Sequence, residues 1–224
     1  MEQKKAKKLG LFGGTFNPIH LGHLRAAEEV REELALGKVV FIPALIPPHK
    51  DSAGLPPPSD RLKMVEFAAS TNPYFECSDV ELLREAPSYT IDTLRAFSSR
   101  CPDTELYFIV GTDQFSEIDT WKDWEGLFEL ANFVVVTRPG EGTPALSMPL
   151  ALKGLIQYDR TVSALEIYKH VSSTLIIICN ITGIEVSSTH IRALLKEGKS
   201  IRHLVGEEVV DYIISRGLYE EEAG

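Results

Sequence analysis

The sequence predicts an α/β fold built on a doubly wound parallel sheet, and three observations predict it. Short apolar runs rich in β-branched residues alternate with stretches whose apolar residues recur at helical spacing. The first run closes on a pair of glycines directly before a helical stripe, the strand-loop-helix opening of such a sheet. After residue 183 the alternation gives way to helical patterns alone, which predicts a small carboxy-terminal helical part.

The elements follow in order. Residues 9–12 form a strand that ends in Gly13 and Gly14, and Leu24, Ala27, Val30 and Leu34 then mark the apolar stripe of a helix. A second strand over 38–43 completes a β-α-β unit whose strands run parallel through a right-handed crossover. Residues 44–58 carry Pro47, Pro48, Pro56, Pro57 and Pro58, fit neither helix interior nor central strand, and form a surface loop. A helix from about Ser59, its expected N-cap, runs through Met64, Val65 and Phe67 to Ala69. A strand at 74–77 and a helix from about Thr90 through Leu94 and Phe97 come next. Continuous apolar runs at 106–110, 133–137 and 175–179 read as strands buried on both faces. Helices at 189–197 and 207–215 precede a frayed acidic tail. A single domain is expected, with about 1–183 as the sheet core and about 184–219 as a helical part packed against it.

Of the 224 residues, 44% are hydrophobic and 25% charged, ample for a core. The net charge of -9 argues against sequence-independent nucleic-acid binding, which draws its affinity from Lys and Arg, so any bound phosphate must meet a local basic cluster. Cys77, Cys101 and Cys179 show neither a disulfide framework nor paired zinc spacings, and a reduced cytoplasmic location fits them. The basic amino terminus precedes an apolar run too short for a secretory signal, and no run approaches the ~20 residues that cross a bilayer. A soluble chain without nucleic-acid or membrane partners is expected, with a homo-oligomer left open.

The strongest local signal is GGTFNPIHLGH over residues 13–23, where the first strand turns into the first helix. It is neither a Walker A loop nor a GxGxxG fingerprint. Gly13 and Gly14 allow the backbone to approach a phosphate, and the helix behind offers N–H groups to an anion. His20 and His23 fall on one face of the helix start, with Gly22 leaving space between them for a base or sugar. Such a pair can donate to phosphate oxygens; a surface pair or a two-histidine metal site are the alternatives, the latter lacking a Cys, Asp or Glu at helical spacing. A second signal, VSSTHIR over 186–192, opens another helix. Ser187, Ser188 and Thr189 are potential N-caps, while Arg192 lies one turn in and would aim its guanidinium at whatever the helix start binds.

Together the two stretches resemble the paired signatures of the HxGH nucleotidylyltransferases, whose members bind ATP between them. Asn17 stands where an aspartate is more frequent and keeps a hydrogen-bonding side chain. Within that superfamily the chain resembles the bacterial nicotinate mononucleotide adenylyltransferases from residue 9 to about 219. The further stretches that carry the likeness are IP at 42–43 with PPHK at 47–50, SYTIDTL at 88–94, GTD at 111–113 with WKDW at 121–124, and TRPG at 137–140. The resemblance implies a Rossmann-like sheet and an ATP site at Gly13, Gly14, Thr15, Phe16, His20, Gly22, His23, Gly111, Asp113, Ser187, Ser188, Thr189 and Arg192, with Asp113 on the adenosine ribose. It implies an acceptor site at Lys50, Thr90, Trp121, Lys122 and Arg138, with Trp121 stacking on the pyridine ring and Trp124 left to the core. His20, His23, Lys50 and Arg192 are the implied catalytic groups.

The implied reaction is attack of the nicotinate mononucleotide 5′-phosphate on the α-phosphorus of ATP, giving deamido-NAD and pyrophosphate. A phosphate nucleophile is already ionised at neutral pH and needs no general base. Alignment and cations carry such a step, with Mg²⁺ held by the substrate phosphates. N–H donors and a cation beside the ring favour the acid over the amide. The alternatives are a sister transferase with an NMN- or phosphopantetheine-type acceptor, and a non-catalytic nucleotide sensor. Against the first stands the tryptophan stretch, and against the second the intact His20, His23 and Arg192.

Overall fold

A computed structural model describes residues 7–46, 55–85, 87–137, 148–163 and 165–219. The strands form an eight-stranded, mostly parallel sheet of order β3-β2-β1-β4-β5-β8-β7-β6, with β3 at Phe75–Cys77, flanked by helices. By its internal contacts the chain divides into two compact units, and β2 (Lys38–Pro43) contributes its first half to one and its second half to the other.

The first unit contains Met1–Gly13, Ala26–Val40 and Tyr89–Gly183. Its centre is the parallel run of β1 (Lys7–Gly14), β4 (Thr104–Gly111), β5 (Asn132–Thr137) and β8 (Leu175–Asn180), in register at Leu11 and Phe108, Ile109 and Val134, and Val135 and Ile178. Residues 106–110 of β4 are all buried, as an uninterrupted apolar run requires. Phe133 anchors this core, with ring centroids 5.5 Å from Phe108 and 4.8 Å from Phe128. Sequence order reverses between β1 and β4, so the carboxyl ends of these two strands, at Gly14 and Gly111, mark the switch point where open α/β sheets take ligands.

The sequence reading missed β6 (Ile156–Val162) and β7 (Leu165–His170), a hairpin that adds to β8 antiparallel. The cause is physical. β6 is an edge strand exposed along nearly its whole length, so nothing forces an apolar run, and β7 buries Leu165, Ile167 and the polar His170 but not the residues between them. A bulge between Tyr158 and Arg160, beside the Asp159–Arg160 ion pair, blunts the edge against further pairing.

The second unit contains Gly14–Arg25, Phe41–Ser88 and Ile184–Gly224. Here α2 (Pro58–Ser70) opens on Pro58 after Pro57 with no side-chain cap. The expected cap Ser59 is therefore already inside the helix; a proline at the first position has its φ preset and no N–H to satisfy. The carboxy-terminal α7 (Glu207–Ser215) occupies the span predicted for it and packs on α2. Tyr212 meets Phe67 edge-on and donates to Asp60 at 2.8 Å, and Arg216 also reaches that buried carboxylate. A buried carboxylate is tolerable because two donors replace its water.

Candidate active site

In the second unit the stretch after β1 meets the stretch that opens α6 (Ser188–Lys196). Ser188 Oγ donates to the Pro18 carbonyl at 2.9 Å, and Arg192 Nη1 donates to the Asn17 carbonyl at 2.8 Å. Ser187 is the cap of α6, accepting from the His190 N–H at 3.2 Å. Arg192 also donates to Thr189 Oγ1, so its guanidinium lies back over the helix start as the spacing predicts. The N–H groups of Ser188 and Thr189 have no acceptor inside the helix and suit an anion.

The histidines are locked by the main chain. His20 precedes α1 (Leu21–Leu34), and its N–H donates to His23 Nδ1 at 3.2 Å while the His23 N–H donates to His20 Nδ1 at 3.3 Å. The rings stack with centroids 3.6 Å apart, and the edge of Phe16 closes on His23 at 5.2 Å. Because each Nδ1 accepts a backbone N–H, each ring carries its proton on Nε2, and both imidazoles offer an Nε2–H donor.

Two expectations change here. The start of α1 offers fewer N–H groups to an anion than expected: Leu21 donates to the Leu204 carbonyl at 3.0 Å and His23 to His20. Nor does Gly22 leave open space, since a Cβ there would lie 3.0 Å from a Val186 methyl and 3.1 Å from His20 Nδ1. Glycine suits this position because the two stretches approach so closely that a side chain would press on its neighbours. The Cβ positions of Gly13 and Gly14 are likewise covered, by the rings of Phe108 and Phe16.

In the first unit, Gly111 ends β4 and Asp113 lies in the short α4 (Thr112–Phe115), its carboxylate exposed and folded over Gly111. Thr90 begins α3 (Thr90–Arg100), where first-turn N–H groups lack partners inside the helix. Trp121 follows a 3-10 turn and meets Phe108 edge-on at 6.3 Å; Trp124 starts α5 (Trp124–Leu130) and meets Phe128 at 6.4 Å. Both indoles are half-buried, and Trp124, assigned to the core, reaches it only at the Phe128 ring. The pair does not share a helix face, because Asp123 between them takes a left-handed conformation at φ 52°. Lys122 lies 4.4 Å from the centre of the Tyr89 ring and donates to Asp92 at 3.2 Å, and Arg95 pairs with Asp123 at 2.5 Å.

The cytidylyltransferase-like family matches residues 11–194. The chain is 44% identical to a probable nicotinate-nucleotide adenylyltransferase of Citrifermentans bemidjiense over 95% of its length and 98% of that protein's. It is 43% identical to one of Syntrophotalea carbinolica, over 96% and 98%. The chain belongs to the cytidylyltransferase-like family.

The fold also matches a solved structure, the nicotinic acid mononucleotide adenylyltransferase of Plasmodium falciparum in complex with NaAD, with a TM-score of 0.69 over 95% of this chain and 97% of that one at 18% identity. The span of the cytidylyltransferase-like match begins in β1 and ends in α6, so it includes both stretches joined at Asn17 and Pro18. Lys50, Arg138 and most of the proline-rich loop lie outside the described residues. Among the described residues no cluster of His, Cys, Asp or Glu is placed to hold a metal ion, and no helix is long and apolar enough to cross a membrane.

Sequence reasoning missed Arg61. Its side chain is 1% exposed and donates to the carbonyls of Thr15, Leu45 and Pro56 at 2.9, 2.9 and 3.3 Å. A signal existed: Arg61 shares the helical stripe of Met64, Val65 and Ala68, all buried, and a cation on an apolar stripe is either misplaced or employed.

Proposed function

We propose that this protein transfers the AMP moiety of ATP to nicotinate mononucleotide, yielding deamido-NAD and pyrophosphate in NAD biosynthesis, as a single nucleotidylyltransferase domain in the cytoplasm. The observation that carries this reading is the joining of the two phosphate-binding stretches through Ser188 and Arg192 to the carbonyls of Pro18 and Asn17. The names of relatives more than 40% identical over nearly the whole chain support it.

In the reaction a 5′-phosphate oxygen of the acceptor forms a bond to the α-phosphorus as the bond from that phosphorus to the bridging oxygen breaks, and pyrophosphate leaves with the electron pair. The nucleophile enters ionised, so the protein supplies position and charge. Nε2–H of His20 and His23 donate to oxygens that gain charge at the transition state. Arg192 and the first N–H groups of α6 hold the departing phosphates. Lys50 adds a further cation, and Gly13, Gly14, Thr15 and Phe16 line the nucleotide. A Mg²⁺ ion held by the substrate phosphates would offset the negative charge of the leaving group and would need no ligand cluster from the protein. Gly111 and Asp113 serve the adenosine ribose. The acceptor ring stacks on Trp121, its carboxylate meets N–H groups at Thr90 and near Lys122, and Arg138 serves its phosphate.

The test is pyrophosphate release with ATP and either the acid or the amide mononucleotide, side by side. The acid is expected to turn over with the higher kcat/KM. No release with either, or a clear preference for the amide, overturns the assignment.

A further inference from the structure

Arg61 belongs to no part of the chemistry above, yet it is among the largest fully buried side chains of the protein. Removing a guanidinium from water costs several kcal/mol unless its donors are matched. Arg61 matches three of them to carbonyls from three separate stretches: Thr15 in the loop after β1, Leu45 just past β2, and Pro56 just before α2. Among the described residues no carboxylate pairs with it, since the adjacent Asp60 is taken by Tyr212 and Arg216. The titratable neighbour that acts on it, Tyr219, is raised out of titrating range, first by burial, and stays neutral. Burial lowers the Arg61 pKa from its ordinary value, but a guanidinium keeps its proton at neutral pH, so a positive charge stands beside the Thr15 carbonyl.

The consequence follows from peptide geometry. Across a trans peptide the C=O of one residue and the N–H of the next point in opposite directions. With the Thr15 carbonyl drawn onto Arg61, the Phe16 N–H is turned away from it. Phe16 itself sits at φ 47° with its ring against His23, so the orientation of this peptide is tied to that of the imidazole.

We propose that Arg61 is a positioning residue of the triphosphate site: it holds the Thr15 carbonyl inward so that the Phe16 N–H is aimed at the phosphates, and it ties that peptide to Leu45 and Pro56. This rests on the reading that the stretch after β1 binds ATP.

Arg61→Lys keeps the charge but cannot span three carbonyls, and Arg61→Met keeps the length without the charge. Binding of an α,β-methylene ATP analogue with Mg²⁺, and separately of nicotinate mononucleotide, is measured by calorimetry on each variant that melts cooperatively. The expected result is a loss of roughly tenfold or more in affinity for the ATP analogue, the size of one charge-assisted contact, with acceptor affinity within about twofold of the parent. A purely structural arginine would lower the melting temperature and leave the affinity of the folded protein unchanged; that outcome overturns the proposal. If neither variant folds, the ¹⁵N-labelled parent decides: the Phe16 amide resonance shifts when the ATP analogue is added, and an unmoved Phe16 amide overturns the proposal. A parent that does not bind the analogue at all instead sinks the underlying function.

Discussion

The stretch around His20, His23 and Arg192 and the stretch around Trp121 and Lys122 are held in different ways. In the first, side chains are fixed by main-chain atoms: backbone N–H groups hold both imidazoles, and carbonyls hold Ser188 and Arg192. In the second, Trp121 packs on Phe108, but the charged side chains are held by surface ion pairs, Lys122 with Asp92 and Arg95 with Asp123, whose side chains are about a third to a half exposed. Main-chain partners persist through substitution, whereas exposed pairs contribute about 1 kcal/mol or less and vanish with a single change. On the proposed roles, the side chains that meet phosphate are fixed by main-chain atoms, and the charged side chains beside the acceptor by replaceable partners.

The largest effect that would break this comparison comes from His23→Ala. It is expected to lower kcat by about 100- to 1,000-fold while costing about 1 kcal/mol of stability, the scale of a lost cap. Near-normal turnover in a steady-state assay removes the imidazole from the chemistry. Gly22→Ala ranks next, because its methyl must displace Val186 or the His20 ring. Overpacking there costs about 1–3 kcal/mol and lowers both the melting temperature and kcat. An unchanged melting curve would mean the two stretches are not tightly joined.

On the other side of the comparison, Trp121→Ala is expected to raise the acceptor KM roughly tenfold and leave that for ATP alone, as the loss of one aromatic stacking partner implies. Lys122→Ala should change it by no more than about threefold, since Asp92 already occupies the ammonium. Equal losses in the two variants would show Lys122 to be a direct contact.

The last effect is alkaline. Burial raises Cys77 and Cys179, one thiol in each unit, from 9.0 to about 12. A raised folded-state pKa contributes stability that is complete below pH 9 and is lost as the pH climbs toward 12. Denaturant midpoints measured across that window are expected to fall, and to fall less for Cys77→Ala or Cys179→Ala; a flat profile contradicts the burial of the thiols.

Much of this was legible in the chain, for identifiable reasons. The strands at 106–110, 133–137 and 175–179 are buried on both faces and had to be continuously apolar, and β2 and α7 begin and end where their patterns do. The β6–β7 hairpin was invisible because an exposed edge imposes no pattern. At the site, the motifs identified the residues but not their partners. That His20 and His23 cap each other, that Gly22 is filled by Val186, and that Arg61 reaches three carbonyls are facts of tertiary approach, which spacing along the chain does not encode.

The most direct test is a crystal structure of the protein with the α,β-methylene ATP analogue and Mg²⁺. Nε2 of His20 or His23, and Arg192 with the start of α6, are expected within hydrogen-bonding distance of one and the same triphosphate. A triphosphate that touches the histidines but not α6, or lies away from both, would contradict the account.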